Sequence, residues 1–116
     1  MKLVLVEDNP VVLDLWRSWF RGRGFEVASS GLNLGEVDGG KGPVSGVDGV
    51  LVDFGAMADM GAPGSVSWLR NHFVGARVVV VTGSPELAKS CGADLVIDKG
   101  SGVAGLVEVE GFLRAL

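Results

Sequence analysis

The sequence predicts one α/β domain built on a single parallel sheet. Five short apolar runs rich in β-branched residues are spread over 116 residues, and helix-like segments separate them. Several of these runs are apolar at successive positions instead of alternating, the pattern of strands covered on both faces. Strand and helix in alternation imply right-handed parallel crossovers, and the length suits one domain with a real core.

The first run is KLVLV, residues 2–6. Asn9 and Pro10 then supply an N-cap and a proline at the first helical position, and Val12, Trp16, Trp19 and Phe20 recur at helical spacing until Gly22 and Gly24 stop the helix. FEVAS, residues 25–29, is the second strand. The next crossover departs from the pattern, with glycines at 31, 35, 39, 40, 42, 46 and 49. Each costs roughly 1 kcal/mol relative to alanine inside a helix. At most a short helix near Leu32–Val37 is expected, followed by a flexible connection. It contains neither a dinucleotide-binding fingerprint nor a P-loop lysine motif.

GVLVDF, residues 49–54, is the third strand, and a helix around Ser65–Val74 buries Val66, Leu69 and Phe73. ARVVVVT (76–82) and ADLVIDK (93–99) are the fourth and fifth strands. A last helix is expected to bury Val103, Leu106, Val109, Leu113 and Leu116.

Composition narrows the function classes. Hydrophobic residues make up 47% of the chain, yet no apolar run approaches the length of a membrane span. The N-terminus MKLVLVEDNP is too short in apolar residues and too acidic for a secretory signal, so a cytoplasmic protein without membrane attachment is expected. A single cysteine, Cys91, excludes an internal disulfide and any multi-cysteine metal site; it is expected as a small buried hydrophobe. The net charge is −4 and the ten Lys and Arg residues are scattered, so no nucleic-acid binding is expected of this domain. His72, the only histidine, and Trp16, Trp19 and Trp68 are assigned to helix surfaces or helix packing.

The chemistry lies where the strands end. Glu7 and Asp8 follow the first strand, Asp53 closes the third, Thr82 the fourth and Lys99 the fifth. A carboxylate within a strand buried on both faces would carry a large desolvation cost, so Asp53 belongs at the strand's exit. Parallel strands bring all these exits to one edge, the edge where open α/β sheets bind ligands. Crowded carboxylates favour neutral forms unless a cation relieves them, and a few hard oxygen ligands suit Mg²⁺ shared with a phosphate. The set suggests phosphoryl transfer: Asp53 as nucleophile, Mg²⁺ and Lys99 neutralising phosphoryl oxygens, and the Thr82 hydroxyl donating to a third oxygen.

LVLVEDNP, VLVDFGAM, VVVVTGS and CGADLVIDKG, together with LWRSWFRGRGFEV, resemble the acidic pair, acceptor-aspartate, hydroxyl and lysine blocks and the first helix and second strand of response-regulator receiver domains. The resemblance covers essentially the whole chain, residues 1–116. It implies a flavodoxin-like, doubly wound five-stranded sheet in the order 2-1-3-4-5. It further implies a phosphoryl group taken from a phosphohistidine on a sensor histidine kinase or a histidine phosphotransfer protein. Asp8, Asp53 and the Gly55 carbonyl would hold Mg²⁺, with Glu7 helping directly or through water. Such a protein catalyses only its own phosphorylation and dephosphorylation.

Several positions depart from the family. FGAMADMG lacks the usual Met-Pro pair and keeps only Gly61 in register. The aromatic switch position falls on Val96, and Gly100 replaces the usual proline after the lysine, so no cis bond is expected there. SPELAKSC leaves about two turns for the fourth helix. No effector segment follows the last helix here, so output through protein contacts is expected. Two alternatives are a degenerate receiver acting as a binding module and a phosphohydrolase of the haloacid-dehalogenase type. The former would lack an acid, the Thr or the Lys; the latter needs a second acid where Gly55 stands. Asp53-Phe54-Gly55 echoes a kinase metal loop, but nothing else of a kinase is present.

Overall fold

The apolar runs form five parallel strands, β1 (Lys2–Val6), β2 (Glu26–Gly31), β3 (Gly49–Asp53), β4 (Arg77–Thr82) and β5 (Leu95–Asp98), in the order β2-β1-β3-β4-β5. The crossovers carry α1 (Pro10–Gly22), α2 (Leu34–Asp38), α3 (Ala62–His72), α4 (Pro85–Ala88) and α5 (Val103–Arg114). This is a computed structural model, and it describes residues 1–40, 42–57 and 60–115.

Strand pleating explains why the runs are apolar throughout. Leu3, Leu5, Leu51, Val79, Val81 and Ile97 face Leu13, Trp16 and Phe20 of α1 and Val109 and Leu113 of α5. Their alternates Val4, Val6, Val50, Val52, Val78 and Val80 face Leu34, Val37, Val66, Leu69 and Ala88 of α2, α3 and α4. Each fully buried Val or Leu contributes about 1.5–3 kcal/mol, so two covered faces suffice to hold the short crossovers against the sheet.

The helix starts follow local chemistry. Asn9 Oδ1 accepts the N–H groups of Val11 (3.0 Å) and Val12 (3.4 Å), as an N-cap should. Leu13 takes the central buried position, whereas Val12 and Trp19 are half-buried. Helix α3 begins three residues before the expected Ser65, with Pro63 in its first turn, and stops at His72 instead of Val74. Its end is set from outside: Val44 N–H donates to His72 O and Val74 N–H donates to Val44 O, a bridge that draws the backbone out of the helix.

Three further expectations change. The second strand runs two residues beyond Ser29, following its pairing with β1, which ends at Val6 opposite Gly31. Helix α4 is one turn instead of two; a turn follows it, in which the Cys91 N–H donates to Ala88 O at 3.1 Å, and Cys91 is buried as expected. Helix α5 buries Val109 and Leu113 as expected but leaves Val103 60% exposed and Leu106 half-buried, burying Gly105 and Glu110 in their place; Leu116 lies outside the described residues. Gly105 explains the rotation: a Cβ there would lie 2.8 Å from Ile97 Cγ2, so the helix presents its bare backbone to β5. Buried Glu110 accepts from Arg23 Nε (3.0 Å) and from Arg114 Nε (2.9 Å), clamping the end of α1 to α5 and holding its pKa below the usual range.

Candidate functional site

At the C-terminal edge of the sheet, β1 lies between β2 and β3, the point where the strand order reverses. Side chains leaving β1 and β3 there converge on a crevice instead of being covered by a helix. Glu7 and Asp8 leave β1 and Asp53 is the last residue of β3. Each can offer one carboxylate oxygen to a common point, the three oxygens lying within 4.8 Å of one another. This donor set, hard and anionic, fits a small divalent cation such as Mg²⁺.

The two members of the acidic pair differ in environment. Glu7 has no exposed surface, and its Oε1 accepts the Asn9 N–H at 3.0 Å. Asp8 is exposed. Asp53 is 5% exposed, and its Oδ2 accepts the Gly55 N–H at 3.0 Å as the chain turns into a 3₁₀ segment, Phe54–Met57. A Cβ on Gly55 would lie 2.9 Å from Asp53 Oδ2 and 3.1 Å from Asp8 Oδ2. Glycine therefore lets the backbone approach both carboxylates; Ala58 and Asp59 of the following loop lie outside the described residues.

Lys99 enters from β5. Its Nζ donates to Asp53 Oδ1 at 2.9 Å and to Glu7 Oε1 and Oε2 at 3.2 and 3.1 Å. The short 3₁₀ turn that aims it is fixed by Asp98, whose Oδ1 accepts the Gly100 N–H at 2.9 Å and whose carbonyl accepts the Ser101 hydroxyl at 2.6 Å. Asp98 escaped the sequence reading, although Asp followed two residues later by Gly is an Asx-turn signal. All peptide bonds among the described residues are trans, including that before Gly100.

Thr82 ends β4 at the same edge, where β3 pairs Asp53 with Val81 and β5 pairs Asp98 with Thr82. It is buried, and its Oγ1 accepts the Ser84 N–H at 2.9 Å, which leaves the hydroxyl proton free to donate. All the residues singled out for chemistry thus lie on one edge. His72 stands apart on α3, buried and stacked on Trp68 with ring centroids 4.7 Å apart, a packing residue as expected. The cleft of about 300 Å³ between α1 and α5 has apolar walls, with Asp98 and Lys99 only at its margin.

Charge crowding shows in the titration of the site. Burial, the hydrogen-bonded Asp8 carboxyl and the charge of Asp53 push Glu7 up to about 7, against the opposing pull of the Asn9 N–H and Lys99. Burial works against the Lys99 ammonium, but hydrogen bonds to Asp53 and Glu7 outweigh it and raise its pKa. One ammonium pairs with two of the three clustered carboxylates, Glu7 and Asp53, and the excess negative charge is what an added cation would relieve.

No protein-family model matches the sequence, and no curated protein matches it significantly. Solved structures do match in fold. A response regulator from Thermotoga maritima superposes with a TM-score of 0.75 at 17% identity, over 99% of this chain and 98% of the other. The receiver domain of the TMAO respiratory system response regulator TorR gives 0.72 at 24% identity, covering 98% and 97%. A response regulator from Burkholderia pseudomallei, whose structure holds a phosphorylated aspartic acid, a calcium ion and citrate, gives 0.64 at 21% identity, covering 97% and 74%.

Proposed function

We propose that this chain, which has the fold of response-regulator receiver domains, is a phospho-accepting receiver of a two-component or phosphorelay system, with Asp53 as the acceptor. The observation that carries the reading is the ammonium of Lys99 at 2.9 Å from Asp53, with Glu7 and Asp8 on the same strand edge. Nothing in a bare packing role calls for three carboxylates, an ammonium and a buried hydroxyl at the mouth of one sheet.

The chemistry follows from placement. An oxygen of Asp53 attacks the phosphorus of a phosphohistidine on a sensor histidine kinase or histidine phosphotransfer protein. The P–N bond breaks, its electron pair stays on the donor imidazole, and Asp53 becomes an acyl phosphate. Lys99 turns its hydrogen bond from Asp53 to a phosphoryl oxygen, and the free proton of Thr82 is available to a second. Asp8, Asp53 and the Gly55 carbonyl would hold Mg²⁺ beside the charge of Glu7, and the ion when bound neutralises phosphoryl oxygens. Water later attacks the phosphorus, the P–O bond to Asp53 breaks, and inorganic phosphate leaves with the carboxylate restored, so the protein acts only on itself and signals from the cytoplasm through contacts with a protein partner.

Intact mass after incubation with acetyl phosphate and Mg²⁺ tests the reading. One added phosphoryl group, labile to base and hydroxylamine and absent in Asp53→Asn, is the expected outcome. An unmodified parent protein would favour the inert binding-module alternative, and unchanged modification of the Asn variant would reject Asp53 as acceptor.

A further inference from the structure

We propose that Asp98 is a positioning residue for Lys99: by accepting the Gly100 N–H, its side chain closes the turn after β5 and sets where the ammonium stands. The inference rests on the phosphoryl-accepting reading above and adds to it a residue that touches neither the phosphoryl group nor the metal.

Lys99 has no place in the sheet. Strand β5 ends at Asp98, which pairs with Thr82, so the backbone of Lys99 lies one residue beyond the last ladder contact. Its side chain is 36% exposed, and a flexible four-carbon stem turns a small error at Cα into a larger one at Nζ. The 2.9 Å contact from Nζ to Asp53 Oδ1 therefore needs a fixed starting point.

Three hydrogen bonds supply it. Asp98 Oδ1 accepts the Gly100 N–H at 2.9 Å, the Ser101 hydroxyl donates to the Asp98 carbonyl at 2.6 Å, and the Gly102 N–H donates to the Lys99 carbonyl at 3.4 Å. The first spans Lys99 itself and ties together the residues on either side of it. A proline at position 100 would have no N–H to give, so this closure requires the residue after the lysine to be something else. Helix α5 makes room for the second bond: a Cβ on Gly105 would lie 2.5 Å from Ser101 Oγ, and the bare backbone admits the hydroxyl.

The carboxylate of Asp98 has no competing task. It is exposed, and the ion pairs among the described residues include none to Asp98. What the turn uses is an acceptor oxygen on a short side chain, not a charge.

The test compares Asp98→Ala and Asp98→Asn with the parent in the full chain, measuring acetyl-phosphate phosphorylation as a function of Mg²⁺, thermal melting and, separately, the ¹⁵Nζ resonance of Lys99. Asp98→Ala should lower the rate at saturating Mg²⁺ by about 10–100-fold, the upper end being the cost of a roughly 1 Å misplacement. Its half-saturating Mg²⁺ should stay that of the parent, because none of the clustered carboxylates is altered. The ammonium signal, protected from exchange in the parent by hydrogen bonds to Glu7 and Asp53, should weaken with the rate. Asp98→Asn keeps an oxygen for the Gly100 N–H and should recover most of both losses. A role confined to stability would lower the melting temperature of Asp98→Ala and leave rate and signal at the parent level, which overturns the inference. So does an Asn variant that loses as much as the Ala variant, since the charge of Asp98 would then be what matters. A parent that takes no phosphoryl group would overturn the receiver reading alone, because the Lys99 resonance still reports whether the turn holds the ammonium in place.

Discussion

Asp8 and Asp53 stand in the same carboxylate cluster but differ in what relieves them. Asp53 has the Lys99 ammonium at 2.9 Å, whereas the ion pairs among the described residues include none to Asp8. Removing the Asp8 charge therefore removes repulsion and alters only its hydrogen bond to Glu7. In chelator, Asp8→Asn should stabilise the protein by about 0.5 kcal/mol or more, read as a rise in melting temperature. Asp53→Asn should gain less, because it also dissolves the contact to Lys99. Mg²⁺ should stabilise the parent and do so much less in either variant. An Asp8→Asn protein that melts below the parent in chelator would show that the three acids do not repel one another.

Under the proposed function, transmission of the phosphoryl signal would fall to the elements around Thr82. In receivers, as the resemblance implies, a hydroxyl moving toward the phosphoryl group makes room for an aromatic ring on the fifth strand. Here that position is Val96, half-buried on β5 beside Val80 of β4. A β-branched side chain is restricted at χ1 and has no ring to swing, so the two-state element that would amplify a small shift is missing. The reduction of α4 to the single turn Pro85–Ala88 also leaves little helix beside β5 to rearrange. Hydrogen exchange with and without beryllofluoride should show the larger change in the Phe54–Met57 segment and at Thr82–Ser84, with a muted response in α4 and α5. Equal protection changes across Pro85–Ala88 and Val103–Arg114 would mean that another element carries the switch.

For the molecule as a whole, the site couples charge to stability. Glu7 titrates near 7, above its ordinary 4.5, chiefly because it is buried. A folded state that raises an acid's pKa holds the proton more tightly than the unfolded chain, so the contribution is complete below about 4.5 and is lost as pH rises through about 7. Metal-free melting temperatures should thus fall between pH 5.5 and 8, and Glu7→Gln should flatten the profile. The other shifted groups act outside this window. Asp94 and Glu110 are lowered, so their contributions are lost only in acid; Lys99 is raised, so its contribution is lost only in strong base. A parent profile as flat as that of the Gln variant would remove Glu7 as the cause.

Local pattern made much of this protein legible before any contact was known. Runs such as VLV in β3 and VVVV in β4 announce strands covered on both faces, and polar groups directly after apolar runs mark strand exits, so the parallel sheet and the gathering of Glu7, Asp8, Asp53, Thr82 and Lys99 at one edge follow from the sequence alone. Asn9-Pro10 likewise settles the start of α1, because capping is satisfied within one turn. What escaped depends on partners far along the chain. The end of α3 is decided by Val44, the buried face of α5 by the approach of Gly105 to Ile97, and the allegiance of Lys99 by carboxylates 46 and 92 residues away. Periodicity records which side chains avoid water, but only the packed structure decides which polar group finds which: an ammonium between two acids takes the geometry that satisfies most of its donors, and that geometry exists only once β1, β3 and β5 lie side by side.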